Sequence, residues 1–285
     1  MPELIPNLAA VADRYDAVLC DLWGVVHNGR RAFPPAIAAL RAFRQRGGFV
    51  LLISNVPKPR DPIPGQLDAL QVPRDAWDAI VTSGDAIRAA LADRAPGPMF
   101  RIGPDDDSPL WTGLGLKETR RIEEAAFVAI SGLDDPIKET PQDYAPLLAQ
   151  AKARDLALLC ANPDIVVRVG ERLIWCAGAV AAEYAKIDGP VVMAGKPHAP
   201  IYALAQAELR KALGTEPAKP RLLAIGDGVG TDVKGANAFG VDALFIASGM
   251  HGEALMRDGA LDPDKVAAAL AAEGAHARYV MPALA

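Results

Sequence analysis

The sequence predicts an α/β fold in which a parallel sheet carries the functional site and a second α/β domain is inserted into the first. In the first and last thirds of the 285-residue chain, short apolar runs alternate with amphipathic helical segments. Strands that alternate with helices form parallel sheets covered on both faces. Between these thirds the pattern changes, which indicates a separate domain.

The first third has the order strand, helix, strand, helix, strand. We expect strands at residues 17–21, 49–54 and 79–82, and a second helix at 64–70. The first helix is indicated by apolar residues at helical spacing: Phe33, Ile37, Leu40 and Phe43. Pro34 and Pro35 suit its first turn, and Gly47-Gly48 suits its end.

The last third repeats this order. We expect strands at residues 191–194, 222–225 and 243–247, and helices at 200–213 and 232–239. The intervening segment contains a loop-like stretch at 103–109 and a strand-like stretch at 126–130. The crossings between the two domains are expected near Ser83-Gly84 and residues 187–190.

The charge balance limits the classes of partner. A net charge of −5 and a pI near 5.4 give no general attraction to nucleic acid or to an anionic membrane surface. We therefore expect neither as a partner. An anionic substrate would need local positive charge or a metal ion.

Cysteine usage and the absence of targeting signals indicate the cellular compartment. Cys20, Cys160 and Cys176 are an odd number in apolar surroundings, which favours reduced thiols. The first residues do not have the pattern of a signal peptide, and no apolar run approaches the roughly 20 residues that span a bilayer. We therefore expect a cytoplasmic protein.

Four expected strands are followed at once by polar side chains suited to phosphoryl transfer. Open α/β sheets bind ligands at the carboxyl ends of their strands, so we expect these side chains to form one site. They are Asp21, Ser54, Asn55, Lys196, Asp227 and Asp232.

These residue types fit attack on a phosphorus centre. A nucleophilic Asp21 needs a cation to bring two anions together, and the carboxylates of Asp227 and Asp232 are hard ligands that suit Mg²⁺. Lys196 can neutralise the nucleophile and the phosphoryl oxygens. Ser54 and the backbone N–H groups after it can donate to the same oxygens.

The order Asp-x-x-Gly-Val, Ser-Asn, Gly-Lys-Pro and Gly-Asp-x-x-x-Thr-Asp resembles the haloacid dehalogenase-like (HAD) superfamily. It most resembles the class IIA branch, and Asn162-Pro163-Asp164 is similar to a motif of that branch's large cap. The resemblance covers about residues 15–250. It implies a Rossmann-like catalytic core at residues 1–83 and 188–285, with an inserted α/β cap at 84–187.

The resemblance also implies roles for the site residues. Asp21 would form an aspartyl-phosphate. Mg²⁺ would be held by Asp21, Asp227 and the backbone carbonyl of Trp23, with Asp232 supporting the metal.

The phosphoryl group would be bound by Ser54, Asn55 and Lys196. Asn162 and Asp164 of the cap would contact a small phosphorylated metabolite. The family relationship further implies a homodimer through the cap.

Trp23 departs from the pattern of the family phosphatases, which have a second Asp at this position. That Asp protonates the leaving group and then activates water, whereas an indole can do neither. General acid–base catalysis contributes about 10²–10⁴-fold, so we expect a preference for good leaving groups such as acyl phosphates. His27 could substitute for the missing acid, although a cap contact is the more common role for such a residue.

Two other functions fit the same residues. Trp23 would also suit a catalytically weak protein that binds a phosphorylated metabolite and acts as a regulator. An aromatic residue at this position also occurs in 2-haloacid dehalogenases, which need no metal. Asp227 and Asp232 argue against dehalogenation, because carboxylates beside a nucleophilic Asp repel one another without a cation.

Overall fold

A computed structural model of the chain describes residues 1–170, 172–215 and 217–285. In this part of the chain, strands β1 to β16 are Glu3–Leu4, Ala17–Cys20, Phe49–Ser54, Ala79–Thr82, Met99–Ile102, Glu118–Thr119, Phe127–Ile130, Leu158–Cys160, Val166–Val169, Arg172–Trp175, Val191–Met193, Leu222–Gly226, Asp242–Ile246, Met256–Arg257, Ala260–Leu261 and Tyr279–Met281. Helices α1 to α8 are Pro34–Gln45, Ile63–Ala69, Ser83–Ala92, Ala145–Ala153, Ala177–Lys186, Ala199–Leu213, Lys234–Phe239 and Pro263–Ala272. Among these helices, none is long and apolar enough to cross a membrane.

The larger sheet is parallel throughout the described chain and has the order β1-β16-β13-β12-β2-β3-β4. Strand β2 lies between β12 and β3, with Ala17 opposite both Leu222 and Phe49. The carboxyl ends of these three neighbouring strands therefore meet at one edge of the sheet. The α/β fold and the parallel sheet predicted from the sequence are confirmed.

The smaller sheet is also parallel and has the order β11-β8-β7-β5-β6. Four of its described strands lie between residues 84 and 187, whereas β11 lies at Val191–Met193. The sequence pattern places this apolar triplet with the strands that build the larger sheet. It pairs instead with β8, Val191 lying opposite Leu158. A three-residue strand carries no local signal for the sheet it joins, because pairing depends on distant partners.

Most expected elements in the outer thirds occur within two residues of their predicted bounds. Helix α1 has prolines in its first turn, and Gly47 follows its end with a φ of +88° that suits glycine. The stretch at 103–109 differs from the loop that we expected, because a 3₁₀ helix covers Asp105–Leu110. Within it, Asp107 is buried and lies 3.4 Å from the ammonium of Lys58.

One hydrophobic cluster is shared by the two sheets. Alternate residues of the larger sheet, such as Leu19 and Leu51, join Phe127 and Leu159 of the smaller sheet in this cluster. Helices α3 and α6 contribute further members, including Ile87. The opposite faces of the two sheets pack into separate clusters. Successive side chains of a strand point to opposite faces of the sheet, so each strand contributes residues to two hydrophobic clusters, as expected for a sheet covered on both faces.

Candidate active site

The carboxyl ends of strands from both sheets surround one cavity of about 880 Å³. Asp21 follows β2, Ser54 ends β3 and Asp227 follows β12, all in the larger sheet. Lys196 follows β11 and Asn162 follows β8, both in the smaller sheet. All five residues line the cavity. The site is therefore built where the ligand-binding edges of two parallel sheets meet.

Lys196 joins two of the predicted carboxylates. Its Nζ donates to Asp21 Oδ1 at 2.6 Å and to Asp232 Oδ1 at 2.7 Å. All three side chains are buried, and Lys196 is only 2% exposed. Burial opposes the charged ammonium, but the surrounding carboxylates outweigh it, so the pKa of Lys196 lies well above its ordinary value. The ammonium therefore stays protonated and holds Asp21 in place.

Three buried carboxylates form a compact cluster. Asp21, Asp227 and Asp232 each offer an oxygen within 4.8 Å of the others. Burial, followed by the neighbouring carboxylates, raises the pKa of Asp227 well above its ordinary value. Three carboxylates beside one ammonium oppose one another's ionisation in a desolvated site, and a further cation would relieve this repulsion. This donor set of hard oxygens fits a divalent cation such as Mg²⁺.

Gly24 allows the loop after Asp21 to approach Asp227 closely. Its φ is +80°, and a Cβ at this position would lie 1.9 Å from Asp227 Oδ2. A side chain would therefore displace the carboxylate as well as strain the backbone. The close packing against Asp227 thus explains why this position of the Asp-x-x-Gly pattern is a glycine.

Asp232 is held in a π-helical turn at Val229–Val233. Its Oδ2 accepts from the N–H of Gly228 at 3.1 Å, which leaves Oδ1 directed at Lys196. The helix that we expected from residue 232 begins two residues later, at Lys234. Single π-helical turns of this kind occur often at functional sites.

Ser54 and Asn55 have different surroundings. Ser54 is buried at the cavity wall, and its Oγ accepts from the N–H of Val56 at 3.3 Å. The Asn55 amide nitrogen donates to Asp164 Oδ1 at 2.8 Å and to the Lys196 carbonyl at 3.2 Å. Its amide oxygen accepts from the Lys196 N–H at 2.8 Å. The Asn55 side chain therefore connects the loop after β3 to Lys196 and to the loop after β8.

The two residues that we expected in the cap both reach the cavity. Asn162 and Asp164 line it together with Asp21. The Asp164 N–H donates to Asn162 Oδ1 at 3.0 Å, which fixes the turn between them. Burial raises the pKa of Asp164, while Lys196 and Asn55 oppose this shift.

Trp23 lines the cavity, whereas His27 does not appear among its lining residues. The two rings meet edge to face, with their centroids 5.0 Å apart. His27 is buried, and its Nδ1 accepts from the Gly29 N–H at 3.1 Å. Burial lowers the pKa of His27 to about 4. The structure thus makes His27 a packing partner of Trp23 and does not offer it as the missing acid.

Two charged residues of the cavity are not among those predicted from the sequence. Arg31 lies in the loop after β2, and Arg168 lies in β9. Neither follows a strand end nor belongs to a recognisable motif, so the sequence contained no signal for them.

Comparison with known proteins identifies the family. Residues 18–117 match the family described as haloacid dehalogenase-like hydrolase, and residues 193–272 match the one described as HAD-hydrolase-like. A crystal structure of a haloacid dehalogenase-like family hydrolase from Brucella suis 1330 is 43% identical, with full coverage of both chains and a TM-score of 0.88. The chain therefore belongs to the haloacid dehalogenase-like hydrolases.

More distant relatives include a characterised phosphatase. The D-glycerol 3-phosphate phosphatase of Mycobacterium tuberculosis is 26% identical over 249 residues, which cover 86% of this chain and 66% of that protein. This chain thus spans just under two thirds of that relative's length. A crystal structure of the mycobacterial glycerol phosphate phosphatase in complex with magnesium has a TM-score of 0.62 at 26% identity, over 85% of this chain and 71% of that one.

Proposed function

We propose that the protein is a Mg²⁺-dependent phosphatase that acts on a small phosphorylated metabolite through an aspartyl-phosphate on Asp21. The observation that carries this proposal is the buried cluster in which Lys196 holds Asp21 and Asp232, with Asp227 beside them. The magnesium complex of the mycobacterial phosphatase supports the choice of metal.

In the first step, a carboxylate oxygen of Asp21 attacks phosphorus. A bond forms between this oxygen and phosphorus, and the bond from phosphorus to the leaving oxygen breaks, with its electron pair going to the leaving group. Lys196 orients the attacking carboxylate, while the Ser54 hydroxyl and the N–H groups after it donate to the phosphoryl oxygens. Water then attacks phosphorus, the bond from phosphorus to the Asp21 oxygen breaks with its electron pair going to the carboxylate, and inorganic phosphate leaves.

The carboxylates of Asp21 and Asp227 and the backbone carbonyl of Trp23 would hold the metal. Bound Mg²⁺ would supply positive charge that lets two anions approach one another. Asp232 would support this arrangement through its contact with Lys196. The mutual repulsion of the clustered carboxylates is the structural reason to expect a cation there.

The choice of substrate would depend on the smaller domain and on Trp23. Asn162 and Asp164 reach the cavity and would contact the metabolite. The division into a core at residues 1–83 and 188–285 and a cap at 84–187 stays a prediction, as does a homodimer through the cap. Trp23 supplies no proton, so the preferred leaving groups would be weak bases, as in acyl phosphates.

The test measures release of inorganic phosphate from acetyl phosphate, p-nitrophenyl phosphate and glycerol 3-phosphate, with Mg²⁺ and with a chelator. We expect Mg²⁺-dependent turnover that Asp21→Asn reduces to background, because the nucleophile is lost. We also expect Mg²⁺ to raise the melting temperature of the wild type, since a ligand that binds only the folded state stabilises it. Asp227→Asn should weaken this rise. Turnover that survives Asp21→Asn would contradict the mechanism.

Trp23 supports a second candidate, a protein that binds a phosphorylated metabolite without turning it over. If the protein only binds such a metabolite, we expect no phosphate release from any substrate. We also expect a higher melting temperature when Mg²⁺ and inorganic phosphate are added. The same experiment therefore separates the two functions.

A further inference from the structure

The main cavity contains two arginines that the proposed chemistry does not use. Arg31 and Arg168 line the same cavity as Asp21 and Lys196. Arg31 is exposed and Arg168 is half-buried, whereas Asp21 and Lys196 are buried. The two arginines therefore lie at the more exposed part of the cavity wall, whereas Asp21 and Lys196 form its buried end.

The backbone around both arginines is well fixed. The side chain of Asn28 accepts from the N–H groups of Arg30 and Arg31, at 3.1 and 3.0 Å. The Gly170 N–H, at the tip of the β9–β10 hairpin that carries Arg168, donates to the Asn28 carbonyl at 3.2 Å. One short loop of the larger domain thus holds Arg31 and also receives the hairpin that presents Arg168.

Neither cavity arginine has an acidic partner among the residues whose side chains the structure describes. Other arginines of the chain form close pairs: Arg60 with Asp85 at 2.7 Å, Arg278 with Asp242 at 2.6 Å and Arg44 with Asp78 at 2.5 Å. The planar guanidinium group binds carboxylates and phosphates through two parallel hydrogen bonds. Among the described side chains, the two arginines that line this cavity are therefore available to bind an anion.

We propose that the substrate carries a second anionic group, a carboxylate or a phosphate, on the part that leaves, and that Arg31 and Arg168 bind this group. This proposal rests on the proposed phosphatase function. Phe33, Val166 and Val167 also line the cavity, and their apolar side chains suit a short carbon skeleton. A cavity of about 880 Å³ has room for such a molecule.

The probes are pairs of phosphate esters that differ only in the charge of the distal group. One pair is 4-carboxyphenyl phosphate with 4-carbamoylphenyl phosphate, and a shorter pair is 2-phosphoglycolate with its amide. In the wild type, we expect kcat/KM for the acid of at least one pair to exceed that for its amide by about 10- to 100-fold, because hydrogen bonds to charged groups are strong. 1,4-Phenylene bisphosphate then distinguishes a distal phosphate from a carboxylate.

The variants Arg168→Gln and Arg31→Gln test whether these side chains produce the preference. We expect either change to bring the acid-to-amide ratio of kcat/KM towards one, mainly through a higher KM for the acid. Arg172→Gln is the matched control, because Arg172 is exposed on the same hairpin and does not line the cavity. It should keep the wild-type ratio.

Equal kcat/KM values within both pairs would overturn the proposal while leaving the phosphatase function intact. A preference that persists in both glutamine variants would also overturn it. If no ester is hydrolysed, acetyl phosphate turnover decides whether the phosphatase function holds, and calorimetric titration of the wild type with the same four compounds decides the anion site. Tighter binding of an acid than of its amide, lost in Arg168→Gln, would still support the anion site, and equal binding would refute it.

Discussion

In the proposed mechanism, Trp23 limits the leaving groups that the site can use. Its indole lines the cavity close to Asp21 and packs against His27. At this position the family phosphatases have an acid, whereas the indole gives no proton to a leaving group. The carboxylates and the ammonium needed for attack are nevertheless together. The first chemical step is therefore supported, and protonation of the leaving group is not.

Replacing Trp23 with aspartate should restore the missing proton transfer. For Trp23→Asp, we expect kcat/KM to rise by up to about 10²–10⁴-fold on an alkyl ester such as glycerol 3-phosphate, the range that general acid–base catalysis contributes. The rise on acetyl phosphate should be much smaller, because its leaving group is already a weak base. Steady-state phosphate release measures both.

Trp23→Phe is the control, since it keeps an aromatic ring beside His27 without adding an acid. A melting temperature for each variant shows whether the fold is retained. If folded Trp23→Asp gains no activity on the alkyl ester, Trp23 does not limit leaving-group protonation in this protein.

At the scale of the elements, the loops after parallel strands assemble the site, and Asn55 connects three of them. Its side chain makes three hydrogen bonds, of 2.8, 2.8 and 3.2 Å, to Asp164 and to the backbone of Lys196. It is 3% exposed, so its loss would leave buried polar groups without partners. We infer that Asn55 positions Lys196 rather than contacting substrate through its side chain.

Asn55→Ala should therefore reduce both stability and turnover. An unsatisfied buried polar group costs about 1–3 kcal/mol, which denaturant unfolding would measure. We also expect kcat to fall by at least about tenfold, because a displacement of about 1 Å in a catalytic group can cost 10²-fold.

Asn237→Ala is the matched control for this prediction. Asn237 Oδ1 accepts from the His276 N–H, and Asn237 Nδ2 donates to the His276 carbonyl, both at 2.7 Å. Asn237 does not line the cavity. Because Asn237 is exposed, Asn237→Ala should lose less stability than Asn55→Ala and should keep kcat. Equal kcat values in the two alanine variants would refute a positioning role for Asn55.

For the molecule as a whole, the hydrophobic cluster shared by both sheets couples the two halves of the cavity. Phe127 of the smaller sheet lies in the same cluster as Leu19 and Leu51 of the larger sheet. A packed interior transmits strain, so disruption on one side affects the other. We expect the two sheets to unfold together.

Phe127→Ala should destabilise the whole protein by about 3–5 kcal/mol, the usual cost of truncating a buried Phe. Phe127 is 2% exposed, whereas Ile137, the control position for Ile137→Ala, is 63% exposed. Circular dichroism and tryptophan fluorescence should report one coincident unfolding transition, shifted to lower denaturant in Phe127→Ala only. Two separated transitions would show that the sheets unfold independently.

The strands β2 to β4 and β11 to β13, with the helices between them, could be predicted because their signals are local. Apolar periodicity, prolines in a first turn and a glycine after a helix act within a few residues. The pairing of β11 with β8 was not predicted, because three apolar residues do not indicate a strand partner that lies 33 residues earlier in the chain. The edge pair of β1 with β16 joins the two ends of the chain and was equally invisible.

The sequence by itself determined the α/β class and the candidate residues Asp21, Lys196, Asp227 and Asp232, because strand-end polar groups in a recognisable order are a local and ordered signal. Only the tertiary structure decided how these side chains meet, that His27 packs against Trp23, and that Arg31 and Arg168 share one cavity. These facts depend on contacts between residues far apart in the chain. Burial and pairing of charge arise from the folded chain as a whole, so no local pattern contains them.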